Sequence, residues 1–191
     1  MTSLNSFRVG FAKRDITPAT PVPLWGYPSS SRPNPLSTGV LDPLYAKALV
    51  IEAAGRRLAV VGLDLGRAPT RPVVDDVRET VRARYGIDTI MLCASHTHHA
   101  PVLELRDEPG CGKGIYDDGV RYVGFLRDSI VEAIGEAASR LETARMGSAA
   151  TECHLNRNRH SEKADRPEDR TLTVVRFDSD AGKPLVVLVN Y

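Results

Sequence analysis

Polar and apolar residues alternate over Phe7–Ala12, an extended pattern that runs into Arg14-Asp15-Ile16-Thr17-Pro18. A proline-rich stretch continues to about Pro43, so the segment predicts a strand followed by a long irregular loop. Loops of that length inside compact domains are usually functional or disordered. Leu44–Ala53 and Arg57–Leu65 are the next extended runs, and the turn-like Ala54-Gly55-Arg56 between them predicts a hairpin. From Pro72 to Tyr85 the spacing changes. Val73, Val74, Val77, Val81 and Tyr85 recur at helical intervals, and Gly86 stands where that helix would end. Thr89–Ala94 is then a nearly continuous apolar run.

The order strand, helix, strand from Arg57 to Ala94 requires a parallel crossover, and parallel strands are normally buried on both faces. From Asp118 to Leu141 a second stripe, including Val123, Leu126, Ile130, Ile134 and Leu141, predicts a longer amphipathic helix. Ala144–Thr151 follows, then a polar, basic stretch around Asn156–Arg170. Two further extended runs, Leu172–Phe177 and Leu185–Val189, flank a loop with Asp180 and Gly182, which suits another hairpin. The fold class expected is α/β, a mixed, mainly buried β-sheet flanked by helices. Because a buried-looking strand stands at the end of the chain, residues 1–191 are expected to be the N-terminal part of a larger catalytic domain that continues beyond Tyr191.

Composition narrows the function classes. With 42% hydrophobic and 26% charged residues, the chain has the material for a folded core. Its 25 basic and 24 acidic residues leave a formal charge of +1 with no clustering, so nothing marks a nucleic-acid or anionic-membrane partner. Nowhere do about 18 apolar residues run together, so no transmembrane segment is expected, and the start lacks a secretory pattern, which predicts a cytoplasmic location or a leader already trimmed away. Cys93, Cys111 and Cys153 have neither the number nor the spacing of a disulfide framework or a cysteine zinc knuckle and are expected to be reduced. The oligomeric state is not encoded in any of these features.

The densest chemistry is Ser95-His96-Thr97-His98-His99, three of the five histidines in four positions directly after a buried strand. Neutral imidazole is a common metal ligand, and the carboxyl ends of strands in open α/β sheets are where ligands bind. An isolated HxH is equally at home in an exposed loop making structural hydrogen bonds. A zinc centre also needs about four ligands, more than this segment offers. His154 and His160 stand in the polar basic stretch and read as surface residues. Metallo-β-lactamase-like hydrolases want Asp-His where this chain has Ala100-Pro101, and amidohydrolase barrels begin with their HxH strand, whereas at least three strands precede this one.

Five segments in order give the chain a family resemblance: Gly10-Phe11-Ala12-Lys13-Arg14-Asp15-Ile16-Thr17-Pro18, Gly26-Tyr27, Asp42-Pro43-Leu44-Tyr45-Ala46-Lys47-Ala48, Gly62-Leu63-Asp64-Leu65, and the Ser-His-Thr-His core at 95–98. Together they resemble the neutral ceramidases and their shorter bacterial relatives. Leu155-Asn156-Arg157 is similar to that family's Asn-Arg segment, and Pro184–Tyr191 to the strand before its second zinc histidine. The resemblance implies a zinc-dependent hydrolase that cleaves the N-acyl amide bond of a small-molecule or lipid substrate, with zinc held by two histidines, a glutamate and a tyrosine. It makes His96 the first zinc ligand, His98 a catalytic residue that assists proton transfer or holds the tetrahedral intermediate, and Arg157 a hydrogen-bond donor to substrate. The other ligands are then expected beyond Tyr191, and the 191 residues alone are expected to be inactive. Asp64, at the end of a buried strand, either orients a ligating imidazole or caps the loop around Gly66. Arg14 and Asp15 are expected to structure the turn into the proline-rich loop. Where many relatives continue with a glycine-rich loop, this chain has His99-Ala100-Pro101-Val102-Leu103-Glu104, which puts ceramide specificity in question. Hydrolysis of another amide or ester and a non-catalytic binding module are the alternatives.

Overall fold

The alternation over residues 45–63 folds as the hairpin it predicts. β2 (Tyr45–Ala53) and β3 (Arg56–Leu63) pair antiparallel from Ala46 opposite Leu63 to Ala53 opposite Arg56. The turn uses left-handed backbone at Ala54 and Gly55, with φ of 50° and 74°. The computed structural model describes residues 7–26 and 35–191. The N-terminal start at 1–6 and Tyr27 of the Gly26-Tyr27 pair lie outside the described residues. Contacts divide the chain into two compact units, residues 8–141 and residues 142–191 with Phe7.

In the first unit, β1 (Phe7–Asp15) lies antiparallel to β2, from Arg8 opposite Glu52 to Asp15 opposite Tyr45. On the other side of β3, β4 (Thr89–Ala94) runs parallel, Leu58 opposite Thr89 through Leu63 opposite Ala94. The strand order is β4-β3-β2-β1. The crossover is α1 (Arg71–Tyr85), with a proline in its first turn and Gly86 closing it at φ 63°, its N–H on Arg82 O at 3.1 Å. A short two-stranded ribbon follows, β5 (Arg106–Pro109) and β6 (Gly112–Lys113), which the residue pattern does not foretell. The longer helix, α2 (Asp117–Ser139), covers the expected span within two residues. The mixed α/β architecture is therefore as the periodicities require.

Among the described residues the two faces of the sheet are buried unequally. One alternating set, among it Ala12, Ala46, Ala48, Ala59, Val61 and Leu63, enters a single core with Val77 and Val81 of α1 and Leu126, Ile130 and Ile134 of α2. On the opposite face Phe11, Met91 and Cys93 are exposed, although Val9 and Leu49 are buried. The two helices lie side by side on one face, where Arg127 of α2 grips α1 through Asp76 Oδ2 (2.7 Å), Asp76 Oδ1 (3.0 Å) and Thr80 Oγ1 (2.9 Å). Small residues let α2 come close to the strands: a Cβ on Gly10 would fall 2.0 Å from the carbonyl oxygen of Ala137. Arg14 does not shape the turn after β1 but pairs with Glu136 of α2 at 3.0 Å. Asp15 does shape it, accepting the Thr17 N–H at 2.8 Å. Tyr122 of α2 donates its buried hydroxyl to Ile16 O at 2.8 Å, and burial pushes its ionisation upward.

The second unit is an antiparallel meander of β7 (Glu142–Glu152), β8 (Thr171–Ser179) and β9 (Pro184–Asn190). β7 occupies the stretch after α2 to which the pattern assigns no element, because its residues are nearly all exposed and carry little apolar alternation. The β8–β9 hairpin is the one expected. Its tight connection has Gly182 at φ 79°, and the Ser179 N–H is bonded to Lys183 O at 2.8 Å. No helix among the described residues is long and apolar enough to cross a membrane.

Two outcomes follow from this packing. Gly10→Ala should lower unfolding free energy by about 1–3 kcal/mol, because backbone of α2 stands where the methyl must go. The urea midpoint measures it, and an unchanged midpoint would mean that the helix yields without cost. Glu52, held low by Arg57 and Arg8, and Asp76, held low by Arg127, have folded-state pKa values below those of the unfolded chain. Their contribution is present above the ordinary carboxylate range of about 4 and is lost as pH falls through the folded values. A Glu52→Gln, Asp76→Asn double variant should therefore lose stability at neutral pH and show a shallower decline in acid, read from thermal midpoints between pH 7 and 3.

Candidate functional site

The ends of β3 and β4 are tied together beyond the last ladder pair. Ser95 N–H donates to Leu63 O at 2.9 Å and His96 N–H to Leu65 O at 3.0 Å. To make the second bond the chain turns left-handed at His96, φ 65°, an uncommon conformation for a residue with a side chain and one that clusters at functional sites. The turn brings His96 Nδ1 to 3.0 Å from Gly66 O. A carbonyl oxygen only accepts, so Nδ1 carries a proton, and in the neutral ring Nε2 keeps its lone pair. Metal-ligating histidines are held in the same way, the second ring nitrogen committed to a carbonyl or carboxylate.

Trp25 stands against this loop. Its ring meets His96 at a centroid distance of 4.9 Å and 68°, and His98 at 4.7 Å and 82°; the two imidazoles are 5.3 Å apart at 76°. All three contacts are edge-to-face, the favoured geometry for aromatic quadrupoles. The Trp25 backbone is fixed by its amide N–H on Ala100 O at 2.7 Å, while Val102 N–H reaches Pro23 O at 2.9 Å and Leu24 bridges to Pro101. Its indole lies on Gly66, where a Cβ would come within 2.3 Å of Cε3. Gly26 lies beside His98: a Cβ there would be 3.5 Å from its Nδ1. The sequence singles out the histidines but not Trp25. A lone tryptophan in a proline-rich loop carries no periodic signal, and only the long-range pairing of residues 23–25 with 100–102 places it.

Asp64 does not orient an imidazole, which corrects that expectation. Its carboxylate accepts the Tyr45 N–H and both of its oxygens take Lys47 Nζ, each at 3.0 Å. It thus secures the start of β2 rather than the loop at Gly66, and the carbonyl of Gly66 does the orienting instead. Glu104, in the loop after the histidines, receives Arg67 Nη1 at 2.5 Å and so ties the loop after β3 to the loop after β4. Two clefts flank the histidine segment. One of about 550 Å³ reaches Thr97 and His99 and is walled by Val22, Leu24 and Leu44. Another of about 590 Å³ lies beside Trp25 and Gly26, walled by Val102, Leu105, Ile115 and Tyr116, with Glu104 and Arg106 contributing charge. Both fall in the roughly 300–1,000 Å³ usual for small-molecule sites.

Arg157 belongs to the second unit, exposed on the segment between β7 and β8. That segment is ordered by hydrogen bonds rather than by burial. Tyr191 Oη accepts the N–H groups of Leu155 (2.9 Å) and Asn156 (2.8 Å), and lies 2.9 Å from Cys153 O, to which it donates. Asn158 Oδ1 accepts from His160 and Ser161 N–H at 3.1 Å each. His154 and His160 are exposed, in keeping with their reading as surface residues. Cys93, Cys111 and Cys153 are free thiols. Among the described residues no group of three or more His, Cys, Asp or Glu side chains stands together so as to hold a metal ion.

With the geometry in hand, comparison with known proteins is informative. A family model described as neutral/alkaline non-lysosomal ceramidase, N-terminal, matches residues 7–189. The solved structure titled as a ceramidase complexed with C2 is 27% identical, with a TM-score of 0.77, over 97% of this chain and 31% of that one. The neutral ceramidase from Pseudomonas aeruginosa is 28% identical, with a TM-score of 0.78, over 98% of this chain and 32% of its own. This chain thus spans about a third of the length of those proteins. A search of curated proteins finds no match.

The packing of the site predicts that Gly66→Ala will displace the indole. Destabilisation of about 1–3 kcal/mol is expected for such an inserted methyl. Trp25 is the only tryptophan of the 191 residues, so a red shift of its emission should accompany the change; unaltered emission would show that the ring stays in place.

Proposed function

The chain belongs to the neutral/alkaline non-lysosomal ceramidase family, as its N-terminal portion, and on that premise we propose that it contributes half of the site of a zinc-dependent hydrolase that cleaves an N-acyl amide bond. The observation that carries the reading is the bond from His96 Nδ1 to Gly66 O, which leaves Nε2 as a coordinating atom at the carboxyl end of a parallel strand. The donor set fits zinc as one imidazole of a larger set. The remaining ligands, as the family resemblance implies, would come from parts of the longer protein outside these residues.

Zinc, when bound, would polarise the amide carbonyl and lower the pKa of a water to about 7. The residues of this chain have separate tasks. His96 would hold the metal through Nε2. His98, whose ring centroid is 5.3 Å from that of His96, would assist proton transfer from the attacking water to the leaving amine or hold the tetrahedral intermediate. Arg157 supplies guanidinium N–H groups to substrate oxygens, a role carried over from the family motif. The apolar walls of the two clefts suit an acyl or alkyl chain better than a peptide. Ceramide is the substrate class the family indicates. The departures at His99–Glu104 are where a preference for another amide or ester would arise.

The test uses the full-length protein with N-acyl-sphingosine, simpler N-acyl amides and esters. His96→Ala should lose stoichiometric zinc and amidase activity together; retention of both would end the assignment. His98→Ala should keep zinc by metal analysis while kcat falls about 10²–10⁴-fold, the range for loss of a general acid–base group. Unchanged turnover would remove His98 from the mechanism. Zinc binding without hydrolysis of any of these substrates would favour a binding module.

A further inference from the structure

We propose that Trp25 is a positioning residue, which fixes the rotation of the His96 and His98 rings and thereby sets how tightly the site holds its metal. The inference rests on the zinc reading above. A single hydrogen bond from Nδ1 to Gly66 O fixes one point of the His96 ring but leaves it free to swing about the donor–acceptor axis. A second contact is needed to define the plane, and the edge-to-face approach of Trp25 at 4.9 Å supplies it. The same indole meets His98 at 4.7 Å, so one side chain references both imidazoles and fixes their mutual angle.

Trp25 can serve as a reference because it is itself held. Its backbone N–H is bonded to Ala100 O, the two residues before it, Pro23 and Leu24, are tied to Val102 and Pro101, and its ring rests on the bare backbone of Gly66. Gly66 therefore acts twice: its carbonyl accepts the hydrogen bond from His96 Nδ1–H, and its missing side chain makes room for the indole. Displacing the indole would disturb both restraints on His96 at once. The proline-rich loop, remote in sequence from the histidines, is coupled to them through this ring.

The experiment compares Trp25→Phe, which keeps an aromatic ring, with Trp25→Leu, which keeps apolar bulk only, in the full-length protein. Three quantities are read: the tautomer of His96 by ¹⁵N-histidine NMR in metal-free protein, the Zn²⁺ dissociation constant by chelator competition, and kcat and KM on N-acyl-sphingosine. Thermal midpoints establish folding, and Trp25→Met replaces the leucine variant should that one not fold. Expected for Trp25→Leu are loss of the fixed Nδ1–H tautomer, zinc binding weakened about 10–100-fold, as for other lost orienting partners, and a fall in kcat with little change in KM. Trp25→Phe should restore most of each.

If both variants match the parent in tautomer and zinc affinity, or if both are equally impaired, the aromatic ring has no positioning role and the proposal is overturned. Failure of the zinc reading looks different. In that case His96→Ala leaves metal content and turnover untouched, while the tautomer comparison in metal-free protein still decides whether Trp25 holds the rings.

Discussion

Everything at the candidate site depends on how the chain leaves β3 and β4. The two strands are parallel neighbours, and their exits are joined by Ser95 N–H on Leu63 O and His96 N–H on Leu65 O. Those bonds force His96 into left-handed backbone, and that conformation delivers its ring to the Gly66 carbonyl. A strained φ costs of order 1–3 kcal/mol and persists only where surrounding bonds over-determine it. Here two backbone hydrogen bonds and a side-chain one do so. The energy held in the turn is exchanged for a defined tautomer and a defined direction of Nε2.

The scaffold beneath is rigid for a simple reason: its sheet face is built from small side chains. Ala12, Ala46, Ala48 and Ala59, together with Gly10, allow α2 to lie close against the strands, and α1 is clamped to α2 by Arg127. Dense packing of this kind resists small displacements, so the ends of β3 and β4 keep a fixed separation. The cost is that both helices serve one face. Phe11 and Met91 on the other remain exposed in these residues, which span about a third of the related ceramidases.

Local chemistry proved a good guide wherever the determining forces were local. The stripe at Val73, Val77 and Val81 and the glycine after Tyr85 specify α1 and its end, since helix periodicity and a left-handed cap are properties of a few consecutive residues. The Asp15 turn at Thr17 and both hairpins are of the same kind. Asp64 misleads because its position at a strand end beside a glycine suits several partners. Which one it takes depends on Lys47 and the Tyr45 N–H, brought across by the β2–β3 register. The 106–113 ribbon and β7 are short or solvated, and therefore leave little hydrophobic signature.

By itself, then, the amino-acid sequence determined the order of elements, the parallel crossover from β3 to β4, and the histidine pair at the end of a strand, because periodicity and turn chemistry act over neighbouring residues. The ordered motifs from Gly10 to His98 also carried the family, which the match over residues 7–189 bears out. Only the tertiary structure decided that Gly66 O orients His96, that Trp25 packs edge-to-face against both imidazoles, and that both helices share one face. Each of these joins residues far apart in the chain. Such contacts arise from register and close packing, which no local pattern encodes.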